Sequence, residues 1–229
     1  MIGLKVVVPV ACFRKGFARE FWETEELPPP ATCYGFLLSL VGEVDRRRHV
    51  GARVAPGLIL RADSNGRSAG PNRSAVLRTL WRVKEKKSAS GAGGNSRPDF
   101  QELLTGVHLA VWLDSTEEGG SGPSLEARVA TALDHPERID RFGGLSLGES
   151  THLVDEVRRL RPGDAGPARA YLLADRGRLS LPVWVDHVGS TGTRYACGDL
   201  EPWDSAASPP LDRMPLIAPA PPATKSTAT

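Results

Sequence analysis

Apolar residues fall along the chain at two spacings, one suited to strands and one to helices. Val6-Val7-Val8-Pro9-Val10 is a short β-branched run that predicts a first strand, with the proline marking an irregularity or an edge position. Residues 13–27 mix aromatics with both charges and read as an ordered connecting loop. Pro28-Pro29-Pro30 is stiff and extended, and Thr32 then stands as the N-cap of a helix through Val41. Cys33, Leu37, Leu40 and Val41 share one side of that helix, and Gly42 is its stop. Strand, loop, proline stop and buried helix is how the first half of a ferredoxin-like or RRM-like unit begins.

The middle of the chain is harder to read. Residues 45–75 are turn-rich and include Arg46-Arg47-Arg48. From Val76, Leu77, Thr79, Trp81 and Val83 alternate with Arg78, Arg82 and Lys84 as in a strand, although a helix through Leu77, Leu80 and Trp81 also fits. Ser88–Ser96 is a Ser/Gly/Ala tract of the kind that stays mobile. Order returns through Phe100–Leu104 into a strand marked by Val107, Leu109, Val111 and Leu113. Leu125–Leu133 is a short amphipathic helix that stops near His135-Pro136, and Leu179–Val185 is a last strand. From Ser205 the Pro/Ala/Thr composition, without core residues after Ile217, predicts a disordered tail.

Composition narrows the class. The 229 residues are 40% hydrophobic and 24% charged, as in a folded globular protein. A formal net charge of +2 excludes a histone-like coat but leaves room for a local basic groove. Cys12, Cys33 and Cys197 are odd in number and far apart, so neither a disulfide framework nor a zinc site is expected, and a reducing cytoplasm follows. No run approaches the roughly 20 apolar residues of a membrane span. The expectation is a soluble cytoplasmic protein with no membrane partner, metal or cofactor.

Three features could carry chemistry. Arg78, Arg82, Lys84, Lys86, Lys87 and Arg97 flank the Ser/Gly tract against the single acid Glu85. They are either the solvated flanks of a surface hairpin or an arm along a phosphate backbone. The block Arg141–Thr151 joins Gly143, Gly144 and Gly148 to Ser146, Ser150, Thr151 and Arg141. It offers N–H groups and a guanidinium to an anion, but it lacks the P-loop lysine and is equally suited to a tight turn under a sheet. Among the five histidines, His108 reads as a core or sheet-surface residue, whereas His152 directly follows the glycine-rich block. With Tyr34 or a lysine, His152 could act in a metal-independent ribonuclease.

Together these segments resemble a known family. Phe13-Arg14-Lys15, then Pro28-Pro29-Pro30-Ala31-Thr32 running into the Gly35–Gly42 helix, is similar to the N-terminal signature of the fifth CRISPR-associated (Cas) protein family. That family belongs to the RAMP superfamily and serves in type I surveillance (Cascade) complexes. Arg97-Pro98-Asp99-Phe100-Gln101-Glu102-Leu103-Leu104 resembles the exit from its protruding thumb, and Arg141–Thr151 its later glycine-rich motif. The similarity runs over roughly residues 2–190 and leaves the tail aside.

The resemblance implies an α+β fold with an RRM-like (ferredoxin-like) RAMP domain at 1–120, including a thumb hairpin at about 78–100. The glycine-rich loop and a smaller β-rich C-terminal part would take 121–204, and the tail 205–229. It implies a non-catalytic subunit that holds the 5′ handle of the crRNA and bridges the backbone RAMP subunit to the large target-motif-reading subunit. The RNA-binding positions would be Arg14 and Lys15 at the strand edge, with Lys84, Lys86, Lys87 and Arg97 on the thumb. Arg141, Gly143, Gly144, Ser146 and Ser150 would line the loop. One subtype cuts its own guide precursor with a Tyr, Lys and His set; no Lys-His pair here aligns with it.

Overall fold

A computed structural model describes residues 1–16, 21–62, 66–81, 96–187 and 191–219, with the backbone alone at 79–81 and 96–98. Among the described residues the fold is mixed α/β, a mostly antiparallel sheet with two α-helices. Along the chain come β1 (Ile2–Ala11), β2 (Phe21–Trp22), α1 (Pro30–Leu40), β3 (Arg53–Ile59), β4 (Arg61–Ala62), β5 (Ser68–Ala69) and β6 (Asn72–Trp81). They are followed by β7 (Ser96–Asp114), α2 (Leu125–Asp134), β8 (Glu156–Arg159), β9 (Pro167–Leu173), β10 (Leu179–Trp184) and β11 (Arg194–Asp204). The main sheet has nine described strands, seven of them in the order β10-β11-β9-β3-β7-β1-β8, with β2 and β6 also on β7.

In β1, Leu4, Val6 and Val8 are fully buried on one side, as period-two alternation requires. The register skips Pro9 and Gly106 between Val8↔Val107 and Val10↔Thr105. β8 pairs β1 only as far as Val7, so β8 asks no hydrogen bond of the proline. The first helix begins earlier than its sequence suggests. Pro29 is the N-cap, Pro30 is the first helical residue, and Thr32 lies inside. A proline at that position gives up an N–H that has no partner in the helix anyway. The stop falls as expected, with Gly42 at φ 66 after Val41. Phe36, Leu37, Leu40 and Cys33 of α1 join Val129 of α2 and the inward residues of β1, β3 and β7 in the main core.

The opposite face of the sheet has a smaller core. Trp112 lies there with Ala55, Ala110, Ala170, Leu172 and Met214. Met214 belongs to a stretch that composition alone assigns to a disordered tail, and this corrects the expectation for 205–219. Ile217 and Met214 are fully buried. The backbone of Gly51 donates to Ile217 at 2.9 Å, Ile217 to Ala52 at 2.8 Å, and Val54 to Pro215 at 2.9 Å. The segment is therefore a strap along the start of β3, where β9 does not reach. The division at residue 120 is also crossed, because β8 pairs with β1 and α2 packs on α1.

Between residues 72 and 105 the chain doubles back. β6 pairs β7 from Asn72↔Thr105 to Trp81↔Ser96, so 77–81 is strand, not helix. β1 stops pairing at Leu104, which leaves eight residues of β7 beyond it, a reach of about 25 Å. β2 replaces β1 on that side, with Phe21↔Phe100 and Trp22↔Gln101 in parallel.

Candidate nucleic-acid interface

Three segments converge at the root of the β6–β7 hairpin: the connector after β1, the hairpin itself, and the glycine-rich block. The connector folds on itself. Lys15 donates its backbone N–H to Glu23 at 3.0 Å, Glu25 donates to Phe13 at 2.8 Å, and Thr24, fully buried, accepts from the Phe13 N–H at 2.8 Å. Glu102 ties the connector to β7 by accepting from the Thr24 N–H at 3.0 Å, and it also pairs with Arg73 at 2.8 Å.

The glycine-rich block is a small hairpin, not a phosphate-cradling loop on a helix. Leu145 and Leu147 are buried, Ser146 bridges to Leu153, and Leu147 and Val154 donate backbone bonds to His152 and Leu145. Gly148 makes its turn at φ 104, and a Cβ there would lie 2.9 Å from the Cys12 carbonyl oxygen. Only glycine lets the block close on the end of β1. His152 fixes the same junction, because its Nδ1 accepts the Cys12 N–H and the Glu149 N–H, each at 3.2 Å. Two donors on Nδ1 require the neutral ring with its proton on Nε2. Burial, assisted by Arg78 and opposed by Glu149, lowers the His152 pKa below its ordinary value.

Above this junction stands a stack of charged groups. Trp22 carries Arg14 at 4.1 Å from its ring centroid and Arg78 at 5.3 Å. Arg78 also donates to Gln101 at 2.8 Å and to Glu149 at 2.9 Å, and Gln101 donates to the other Glu149 oxygen at 2.9 Å. The Trp22 Nε1 is buried and has no acceptor. By register, Arg78 and Gln101 share one side of the hairpin. Phe21, Leu77 and Phe100 form an apolar row on the other, at 40%, 65% and 53% exposure.

The residues singled out from sequence divide unevenly. Arg14 is in the stack, and Lys15 is an exposed neighbour paired with Glu23 at 3.2 Å. Arg141, Gly143, Gly144 and Ser150 are exposed on the block, with a fully exposed Phe142 among them, and Ser146 is half-buried in its bridge. Arg97 has its backbone in β7 opposite Leu80, whereas Lys84, Lys86 and Lys87 lie outside the described residues. Trp22, Arg73, Gln101 and Glu149 were missed as site residues, although Gln101 lies in the segment resembling the thumb exit and Glu149 in the glycine-rich block. His108 is a half-buried sheet-surface residue against Arg61 at 3.1 Å. Among the described residues no group of His, Cys, Asp and Glu is arranged to hold a metal, and no helix is long and apolar enough to cross a membrane.

A separate cleft of about 250 Å³ opens between α1 and β10, lined by Thr32, Gly35, Leu38, Trp184 and His187. Arg46 closes one side, stacked at 4.1 Å on Trp184. None of the residues singled out from sequence as RNA contacts lines it.

A curated protein from Myxococcus xanthus (strain DK1622), CRISPR-associated protein Cas5, is 53% identical over 219 residues, spanning 95% of this chain and 97% of its own. The chain belongs to the Cas5 family. No protein-family model matches it. Among solved structures, a chain of a CRISPR RNA-guided surveillance complex is similar in fold, with a TM-score of 0.56 and 14% identity over 96% of this chain and 91% of that one. A crystal structure of a Cas protein aligns at a TM-score of 0.46 with 14% identity, over 94% of this chain and 97% of that one. Membership thus rests on the Myxococcus relative, and the likeness to the surveillance-complex chain speaks for the fold alone.

Proposed function

We propose that this Cas5-family chain is a non-catalytic subunit of a type I CRISPR surveillance complex that holds the 5′ handle of the crRNA. The observation that carries the reading is the convergence of connector, hairpin root and glycine-rich block around Arg14 and Arg78. A single-stranded handle is recognised by phosphate contacts combined with displayed bases that stack or hydrogen-bond. Guanidinium groups, exposed Phe142 and the N–H groups of the glycine-rich turn are the parts such recognition uses. The β1-α1-β3-β7-α2-β8 succession, with β3-β7-β1-β8 side by side, supports an RRM-like unit from which β6 and β7 extend as the thumb. The apolar row Phe21, Leu77 and Phe100 suits contact with the neighbouring backbone subunit, leaving the body for the large subunit.

The absence of catalysis is argued from His152. Its Nδ1 lone pair is taken up by two backbone N–H groups, so the ring has no base to offer a 2′-hydroxyl. The decisive experiment incubates purified protein with repeat-derived RNA, with and without the 5′ handle, in chelator. Handle-dependent binding with intact RNA is expected. Specific cleavage lost in His152→Ala, with the fold intact, would replace this reading by a metal-independent endoribonuclease.

A further inference from the structure

Three described cations at the hairpin root have carboxylate partners. Lys15 is on Glu23, Arg73 on Glu102, and Arg78 on Glu149. The third pair differs from the others, because its two members come from segments 71 residues apart and join the hairpin to the glycine-rich block. Glu149 presents both carboxylate oxygens, one to Arg78 and one to the Gln101 amide, while its own N–H is held by His152. Two oxygens received by a guanidinium and an amide is the geometry a phosphodiester presents to the same donors. Beside them the Trp22 Nε1 is a buried donor without an acceptor.

We infer that Glu149 is an internal stand-in for a backbone phosphate, a latch that holds Arg78 and Gln101 in place until an RNA phosphodiester displaces it. The inference rests on the RNA-holding reading above. Glu149 leaves the donors when RNA arrives, its carboxylate turning to solvent, and the phosphate takes over Arg78 and Gln101 while Arg78 stays against Trp22. The latch thus keeps the groove ordered without RNA and sets a threshold that a single anion must overcome. The side chains of Arg78 and Glu149 are 39% and 23% exposed, so the pair is partly screened by solvent. Removing the competitor should therefore tighten binding about fivefold, equivalent to about 1 kcal/mol.

The test is a double-mutant cycle on the full-length chain, with a fluorescent single-stranded guide RNA bearing its 5′ handle as the probe. Glu149→Gln is expected to bind about fivefold more tightly than wild type. In an Arg78→Gln background the same substitution should give no gain, because its effect passes through Arg78. A gain that persists without Arg78 would reduce Glu149 to general charge repulsion and overturn the latch. Weaker binding by Glu149→Gln would overturn it too, making the carboxylate a support for Arg78 instead of its competitor. If wild type and every variant fail to bind the probe, the RNA-holding reading falls and takes the latch with it. Wild-type binding separates that failure from the other two.

Discussion

Replacing His152 by alanine should destabilise the protein without any reference to RNA. The ring is 8% exposed, and its Nδ1 accepts from two backbone N–H groups, those of Cys12 and Glu149. Alanine leaves both donors unmet in a buried junction, at about 1–3 kcal/mol each, and water entering the vacated space recovers part of that. The expected loss is about 2–4 kcal/mol. For a chain of 229 residues, each kcal/mol moves the midpoint of thermal unfolding by about 2–4 °C, so Tm should fall by roughly 4–16 °C. His152→Asn provides an amide oxygen where Nδ1 stood and should recover more than half of the loss. Urea unfolding followed by circular dichroism measures all three proteins. If His152→Ala unfolds within 0.5 kcal/mol of wild type, on the order of an ordinary surface substitution, the junction is not held by this ring.

Other consequences follow from the same geometry. Burial depresses the His152 pKa from its ordinary 6.5, so an unfolded chain takes up a proton that the folded ring refuses. Stability should therefore be flat above pH 6.5 in this respect and fall as the pH drops below it, a slope that His152→Asn removes in urea titrations across pH. The Arg128 guanidinium, helped by the Asp45 backbone N–H and Arg48, holds Glu43 at about 2, so stability present above pH 4.5 should be lost as the pH falls through about 2, and Arg128→Met should shrink that step. Met214→Ala should cost about 2–5 kcal/mol by urea unfolding, because it opens a cavity beneath the strap against Trp112. Arg14→Ala and Arg141→Ala should each weaken RNA binding and reduce the slope of log K against log salt by about 0.7, the single-strand value per lost phosphate contact. An unchanged slope would remove the residue from the phosphate-contacting set.

Much of the helical layer was legible because its signals are local. Three prolines, an apolar helical face and Gly42 mark α1 whatever surrounds it. The alternation from Val107 to Leu113 marks the C-terminal part of β7 in the same way. β9 and β11 carry no such mark. β11 reads Arg-Tyr-Ala-Cys-Gly-Asp-Leu-Glu-Pro-Trp-Asp, with one buried position, Gly198, among exposed and half-buried ones, so its pairing with β9 and β10 is set by the sheet and not by its own pattern. The strap failed a compositional reading because two buried anchors, Met214 and Ile217, are enough to fix a proline-rich stretch against Trp112 and β3.

The site was half legible for a related reason. Arg14 and the glycine-rich block stand out by residue type. Glu149 and Gln101 gain their meaning only from Arg78, which lies 71 and 23 positions away in the chain. Trp22 sits in a two-residue strand that no periodicity announces. His152 drew attention as a possible base, and the structure assigns it two backbone donors instead.

The central claim is that this groove holds the 5′ handle of a guide RNA, and photocrosslinking tests it most directly. A guide RNA carrying 4-thiouridine in its handle, crosslinked to the assembled complex and mapped by mass spectrometry, should label residues 13–24, 73–78 and 141–153 of this chain. Labels confined to the α1–β10 cleft around Trp184, or absent from this chain while other subunits are labelled, would contradict it.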